Sequence, residues 1–243
     1  MGLVVGLLLL LLSATGVPAV RLGRAARHHP PSRTSRAQLL ATATGVQREG
    51  AAALSPAPPV YFIMGGPGSG KGTQCARLIE RFDATHLSAG DLLRAEVASG
   101  SDAGEAIAKV IAEGKIVASS TTVKLLHAAM AKGKGPFLID GFPRSLDNLK
   151  AFERELPPCV FMLFLDVSEE VMLERLLIRG ESSGRSDDNE QTIRKRFRTY
   201  LEESMPVVHE LERRGLVRRI SAEASPDEVF EQVCAAFADQ DLQ

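Results

Sequence analysis

Val60-Tyr61-Phe62-Ile63-Met64 runs directly into Gly65-Gly66-Pro67-Gly68-Ser69-Gly70-Lys71-Gly72-Thr73. An apolar run that breaks into a glycine loop ending in lysine reads as a buried strand followed by a phosphate cradle. Glycines let consecutive backbone N–H groups turn inward around an anion, where a Cβ would stand in the way. Lys71 sets a mobile cation at the end of the loop. Residues 73–82 carry helical spacing, and a helix there points its positive end at the same anion. The general loop has Ser or Thr directly after the lysine; here Gly72 intervenes and Thr73 comes one step later.

Outward from this loop, apolar segments alternate with helical patterns. Strands are predicted at 60–64, 85–87, 136–140, 159–167 and 216–220. Helices are predicted at 73–82, 89–98, 103–113, 121–131, 145–155, 169–178, 189–213 and 227–238. This alternation predicts an α/β fold of the P-loop NTPase type, a five-stranded parallel sheet with helices on both faces. Pro206 is expected to kink or divide the longest helix. Ser225 is expected to cap the last one, with Pro226 in its first turn.

At 243 residues the chain suits one main domain with length left over. Residues 1–48 hold six Arg and no Lys, Asp or Glu, which leaves 23 basic against 30 acidic residues in the remainder. An acidic body with no Trp and 5% aromatics argues against nucleic-acid binding. Cys75, Cys159 and Cys234 form no close pair, so no zinc motif follows from their spacing, and all three read as core residues. The aliphatic run Leu3–Leu12 is short for a membrane span and fits a signal-peptide core. The acid-free, Arg-rich stretch behind it has transit-peptide composition. Residues 1–57 are therefore expected to be a two-part targeting leader and linker, directed to a plastid, with the mitochondrion or secretory pathway as alternatives. Residues 58–243 would be the functional domain.

Transfer between two phosphates needs alignment and charge neutralisation rather than a general base, since a phosphate acceptor is already anionic near neutral pH. The sequence offers the cations at strand ends. Ser88-Ala89-Gly90-Asp91-Leu92-Leu93-Arg94 follows the second strand, and Asp140-Gly141-Phe142-Pro143-Arg144 ends the third. Asp140 suits Mg²⁺ or its waters. Arg175 and Arg179 lie four apart on one helical face, before a Gly/Ser segment containing Arg185, with Arg196 on the next helix. Such a segment reads as a mobile lid over 180–190 that expels water. His86 and His127 read as core or surface residues.

These segments together, with Glu113-Gly114-Lys115-Ile116-Val117 and Arg179-Gly180-Glu181, resemble the nucleoside monophosphate kinases of the adenylate kinase family, and within it the eukaryotic-type UMP/CMP kinases. The likeness spans about residues 59–240. It implies that the loop from Gly66 through Pro67, Gly68, Ser69, Gly70, Lys71 and Gly72 to Thr73 holds ATP phosphates, with Arg179 on the ATP side. Arg94 and Arg144 would grip the acceptor phosphate, and Arg185 and Arg196 would bridge donor and acceptor. Asp91 and Asp140 would order the magnesium water shell. Residues 88–117 would form a monophosphate-binding flap, with Ser88, Ala89, Ile116, Val117, Gly141 and Phe142 around the acceptor. Asn148 stands where adenylate kinases carry glutamine, and a shorter amide suits a pyrimidine edge. Ser145-Leu146 and Ala118 depart from the usual residues of the family. The expected reaction is ATP + UMP or CMP ⇌ ADP + UDP or CDP with Mg²⁺, by a monomer with no nucleic-acid partner and no stable membrane association. Adenylate kinase activity on AMP and a non-catalytic nucleotide sensor are the alternatives. A GTPase is disfavoured because no Asn-Lys-x-Asp motif occurs.

Overall fold

A computed structural model of the chain describes residues 57–182 and 189–240. Five parallel strands form one sheet: β1 (Val60–Gly65), β2 (Thr85–Ser88), β3 (Phe137–Asp140), β4 (Cys159–Asp166) and β5 (Val217–Ser221), in the order β2-β3-β1-β4-β5. β1 occupies the centre, paired on one side from Val60↔Phe137 to Ile63↔Asp140 and on the other from Tyr61↔Phe161 to Gly65↔Leu165.

Successive strand residues point to opposite faces, and here both faces are apolar. Val60, Phe62, Met64, Phe137, Ile139, Met162 and Phe164 build one core. Helices α4 (Ser119–Met130), α5 (Leu146–Glu155) and α8 (Met205–Arg213) cover it. Tyr61, Ile63, Leu138, Phe161, Leu163 and Leu165 face the other way, under α1 (Lys71–Arg81) and α9 (Pro226–Ala236). Phe62 packs edge-on against Phe142 and Phe152 at 6.0 and 5.1 Å between ring centres. Burial on both faces is why these strands read as unbroken apolar runs.

Two satellite clusters lie beyond the sheet. α2 (Ala89–Ala98) and α3 (Asp102–Ala112) enclose Leu93, Ile107 and Val117. α6 (Glu169–Ser182) and α7 (Glu190–Thr199) enclose Met172, Leu176, Ile193 and Phe197. Short polar side chains start several of these helices. Ser88, Ser101, Ser145 and Asn189 each accept from the backbone N–H three residues on, and Ser225 with Glu228 forms a capping box.

Three expectations differ from the structure. α6 continues to Ser182 rather than stopping at Ile178. The helix expected over 189–213 is divided into α7 and α8, but the break is a π-helical turn at Tyr200–Ser204, ahead of Pro206. A proline ring disturbs the carbonyl four residues upstream, here Glu202, so the distortion falls one turn before the proline. Cys75 is buried as expected, whereas Cys159 and Cys234 are only half-buried.

Candidate active site

The loop after β1 sits at the carboxyl end of the central strand, where ligands gather in doubly wound sheets. Gly68 has a φ of +83°, and a Cβ there would meet the Met172 carbonyl at 2.6 Å, so both backbone and packing demand glycine. Lys71 opens α1 and folds back over the loop. Its Nζ donates to Gly66 O at 2.8 Å, Gly65 O at 3.0 Å and Ser69 Oγ at 3.3 Å. Loss of solvent lowers its pKa from 10.5 to about 8; the Asp140 carboxylate opposes this, while Arg144 and Arg196 add to it.

β3 delivers Asp140 beside the loop, since Asp140 pairs with Ile63 of β1 and Gly141 N donates to Ile63 O at 3.0 Å. Asp140 is buried, and its Oδ1 has no hydrogen-bond partner among the described residues. Three contacts hold Arg144: its Nε donates to Gly141 O at 2.7 Å, its backbone N donates to Asn148 Oδ1 at 3.1 Å, and its carbonyl accepts from Ser204 Oγ at 3.0 Å. On α2, Arg94 pairs with Asp91 Oδ1 at 2.5 Å.

These elements surround a cleft of about 580 Å³. Lys71, Arg94, Arg144, Arg175, Arg179 and Arg196 all line it, together with Asp91 and Asp140. A narrower cavity of about 70 Å³ lies between α2, the 114–117 segment and α5, and shares Arg94, Arg144 and Arg196 with the cleft. Ala89, Ile116, Val117 and Phe142 give it apolar walls, and Lys115, Thr122 and Asn148 add polar groups. Asn148 is buried and fixed at both ends, because its Oδ1 accepts from Arg144 N and its Nδ2 donates to Ser119 Oγ at 2.8 Å. Thr199 Oγ1 donates to Gly114 O at 3.0 Å, tying α7 to this segment.

The structure thus brings together the loop residues and the sequence-assigned cations, save Arg185, which lies outside the described residues. Arg194, in contrast, is exposed and paired with Glu190 at 2.8 Å. Arg175, read from the sequence beside Arg179, has its partner in a wall that carries no signature in the sequence. Arg175 donates to Ala222 O at 3.0 Å beyond β5, and Ala222, Ala224 and Pro226 form the cleft wall there. The general rule that ligands sit at the carboxyl ends of parallel strands is the only signal for that wall. His86 lines the cleft as well, with Nε2 3.5 Å from Asp140 Oδ2. No helix among the described residues is long and apolar enough to cross a membrane.

A crowded set of guanidinium and ammonium groups beside a glycine-rich loop is chemistry suited to a polyanion. The side cavity combines apolar walls with the fixed Asn148 amide and three guanidinium groups. Known proteins are similar to this chain over most of its length. A family model described as adenylate kinase matches residues 63–216. The UMP-CMP kinase 3 of Arabidopsis thaliana is 54% identical over 184 residues, covering 74% of this chain and 90% of that protein. The UMP-CMP kinase 3 of Oryza sativa subsp. japonica is 54% identical over 182 residues, covering 74% of this chain and 85% of that protein. Adenylate kinase isoenzyme 1 of Sus scrofa is 48% identical over 179 residues, covering 72% of this chain and 92% of that protein.

Proposed function

The chain belongs to the adenylate kinase family, and on that premise we propose that it is a nucleoside monophosphate kinase that moves the γ-phosphoryl group of ATP to UMP or CMP, with dCMP in the same acceptor class. One observation carries the reading: five assigned cations, Lys71, Arg94, Arg144, Arg179 and Arg196, line one cleft whose adjoining side cavity carries the Asn148 amide.

The loop from Gly66 to Thr73 and Lys71 hold the ATP phosphates. Arg94 and Arg144 fix the acceptor phosphate in line with them, and Arg179 and Arg196 spread across the transferring group. An anionic acceptor oxygen attacks the γ-phosphorus, the bond to the β–γ bridging oxygen breaks, and ADP leaves with that electron pair. No general base is required, so rate comes from alignment and charge stabilisation. Asp140, whose buried Oδ1 lacks a partner among the described residues, fits a hard cation held through water. Asp91 would join it. When bound, Mg²⁺ supplies charge neutralisation at the phosphates.

Asn148 favours a pyrimidine, because its short amide reaches a six-membered ring edge without filling the pocket. The test is a substrate panel of UMP, CMP, dCMP and AMP with ATP and Mg²⁺. Highest kcat/KM with UMP or CMP is expected. Highest kcat/KM with AMP overturns the pyrimidine assignment, and ATP binding without any turnover turns the reading to a nucleotide sensor. Residues 88–117 and 180–190 serve as flap and lid, and residues 1–57 as an organelle leader, supported by its acid-free, Arg-rich composition. Purely cytosolic fluorescence of a reporter fused to residues 1–57 would rule the leader out.

A further inference from the structure

β2 and β3 pair with His86 opposite Leu138 and Ser88 opposite Asp140. Residues two apart share a sheet face, so His86 and Asp140 project from the face that α1 covers. Cys75 projects from α1 toward that face and is fully buried. The sulfur, the imidazole nitrogen and a carboxylate oxygen all lie within 4.8 Å of one another. Two of these groups have unmet needs: His86 Nε2 and Asp140 Oδ1 are buried and lack hydrogen-bond partners among the described residues. A buried polar atom left unpaired costs about 1–3 kcal/mol, so the cluster is arranged for something that joins it.

The donor set identifies what that is. Magnesium and calcium take oxygen donors only. Thiolate, imidazole and carboxylate together are the ligands of zinc and its borderline-soft neighbours, and three protein ligands leave a fourth position open. Metal–ligand bonds of about 2.0–2.3 Å in a tetrahedron set the donor atoms roughly 3.5 Å apart. The His86–Asp140 separation of 3.5 Å already meets this, and the remaining separations, all within 4.8 Å, need at most roughly 1.3 Å of contraction. Two neighbouring effects oppose occupation. Burial holds the Cys75 proton on the sulfur, as does the Asp140 charge, and Lys71 adds positive charge nearby. Only a cation with strong thiolate affinity displaces that proton. Proton release balances the binding step: the S–H bond breaks, the metal–sulfur bond forms, and the proton goes to solvent.

We propose that Cys75, His86 and Asp140 form a binding site for a zinc-class divalent cation, and that its occupation inhibits the enzyme by withdrawing the Asp140 carboxylate from the phosphate cleft. The inhibitory half rests on the kinase reading given above; the binding half does not. Cobalt(II) is the probe for binding, because thiolate ligation to it gives a near-ultraviolet charge-transfer absorption. Titrated into the full chain under reducing conditions, cobalt is expected to produce that absorption, saturating at one equivalent. The absorption is expected to vanish in Cys75→Ala and in His86→Gln. No absorption in the unsubstituted protein, or its persistence in Cys75→Ala, overturns the site. If Cys75→Ala does not fold, His86→Gln carries the same comparison. For inhibition, half-maximal effect should need at least about tenfold more zinc in Cys75→Ala than in the unsubstituted enzyme. Equal zinc sensitivity overturns the inhibitory role while leaving the cobalt result to stand on its own. Should the protein prove to have no kinase activity at all, only the assignment of function fails.

Discussion

Raising the pH from about 7 to about 9.5 should reduce kcat/KM for ATP through a single side chain, Lys71. In the protein without nucleotide, burial brings its pKa from 10.5 down to about 8. It is therefore charged below that value and neutral above it. Neutral Lys71 cannot offset phosphate charge, so kcat/KM should fall to about half at pH 8 and roughly tenfold by pH 9. A bound triphosphate reverses the shift. Opposite charges about 4 Å apart attract by about 4 kcal/mol at an effective dielectric near 20, equivalent to about three pKa units. The kcat profile, which reports the complex, should thus stay level to about pH 10 while kcat/KM declines. Neighbouring groups stay out of the window: burial pushes Tyr200 up to about 12 and the Cys75 thiol upward too. The assay is initial ADP formation across pH with coupling enzymes in excess. Lys71→Arg keeps its charge throughout and should be less active but without the alkaline limb. A flat kcat/KM to about pH 9.5, or the same limb in Lys71→Arg, refutes the reasoning. The sign for stability is opposite. With the folded pKa lowered, the unfolded chain holds more protons between about 8 and 10.5, so this group makes the nucleotide-free protein more stable as pH rises across that window.

Arg144→Ala should lower kcat/KM by about 10²–10⁴, from about 3–5 kcal/mol of lost charge stabilisation; unchanged kinetics in the folded variant would remove Arg144 from the mechanism. Ser204→Ala deletes the hydrogen bond to the Arg144 carbonyl, worth about 1 kcal/mol, and should raise KM for UMP about fivefold with KM for ATP unchanged; an equal rise in both would mean a general structural effect. Asn148→Gln should raise the AMP-to-UMP ratio of kcat/KM by about tenfold, since a methylene's length of reach is worth about 1–3 kcal/mol of discrimination, and an unchanged ratio would free Asn148 from base choice. Phe62→Ala empties the centre of a core and should cost about 3–5 kcal/mol in urea unfolding; a loss below about 1 kcal/mol would contradict its packing against Phe142 and Phe152.

The central strands were legible because β1, β3 and most of β4 are buried on both faces, so Val60–Met64 and Cys159–Val167 announce themselves without any periodicity to decode. Their lateral order was not, because parallel pairing leaves no mark on one strand that identifies its neighbour. In the site, the residues found from sequence are those whose chemistry needs an unusual local pattern: glycines flanking Lys71, and Asp140 and Arg144 closing a strand. Those missed act through neighbours distant in the chain. Ser119 looks like an ordinary first-turn serine until Asn148 is placed 2.8 Å from it. Ser204 likewise acquires meaning only from the Arg144 carbonyl, and the Ala222 carbonyl that holds Arg175, itself read from the sequence beside Arg179, carried no signal. His86 follows the pleat of β2 and carries no signal until α1 sets Cys75 over it. Ser145, a departure from its family, has a local explanation: its hydroxyl accepts from Asn148 N at 3.2 Å and starts α5.

The π-helical turn at Tyr200–Ser204 acts as a phase adjuster between two halves of one rod. Upstream, Ile193 and Phe197 pack on α6 while Arg196 looks into the cleft. Downstream, Val207, Val208 and Leu211 lock into the main core. An uninterrupted α-helix advances about 100° per residue and would register those two sets of side chains differently. Excising one residue, the exposed Leu201, should let the turn relax into ordinary helix with both sets still in register, because the wider turn absorbs one extra residue; inserting one alanine after Arg198 should instead swing Arg196 away from the cleft by about 100°, while the anchored half keeps its seat. A protein that still melts cooperatively yet no longer turns over would be the signature of this lost alignment.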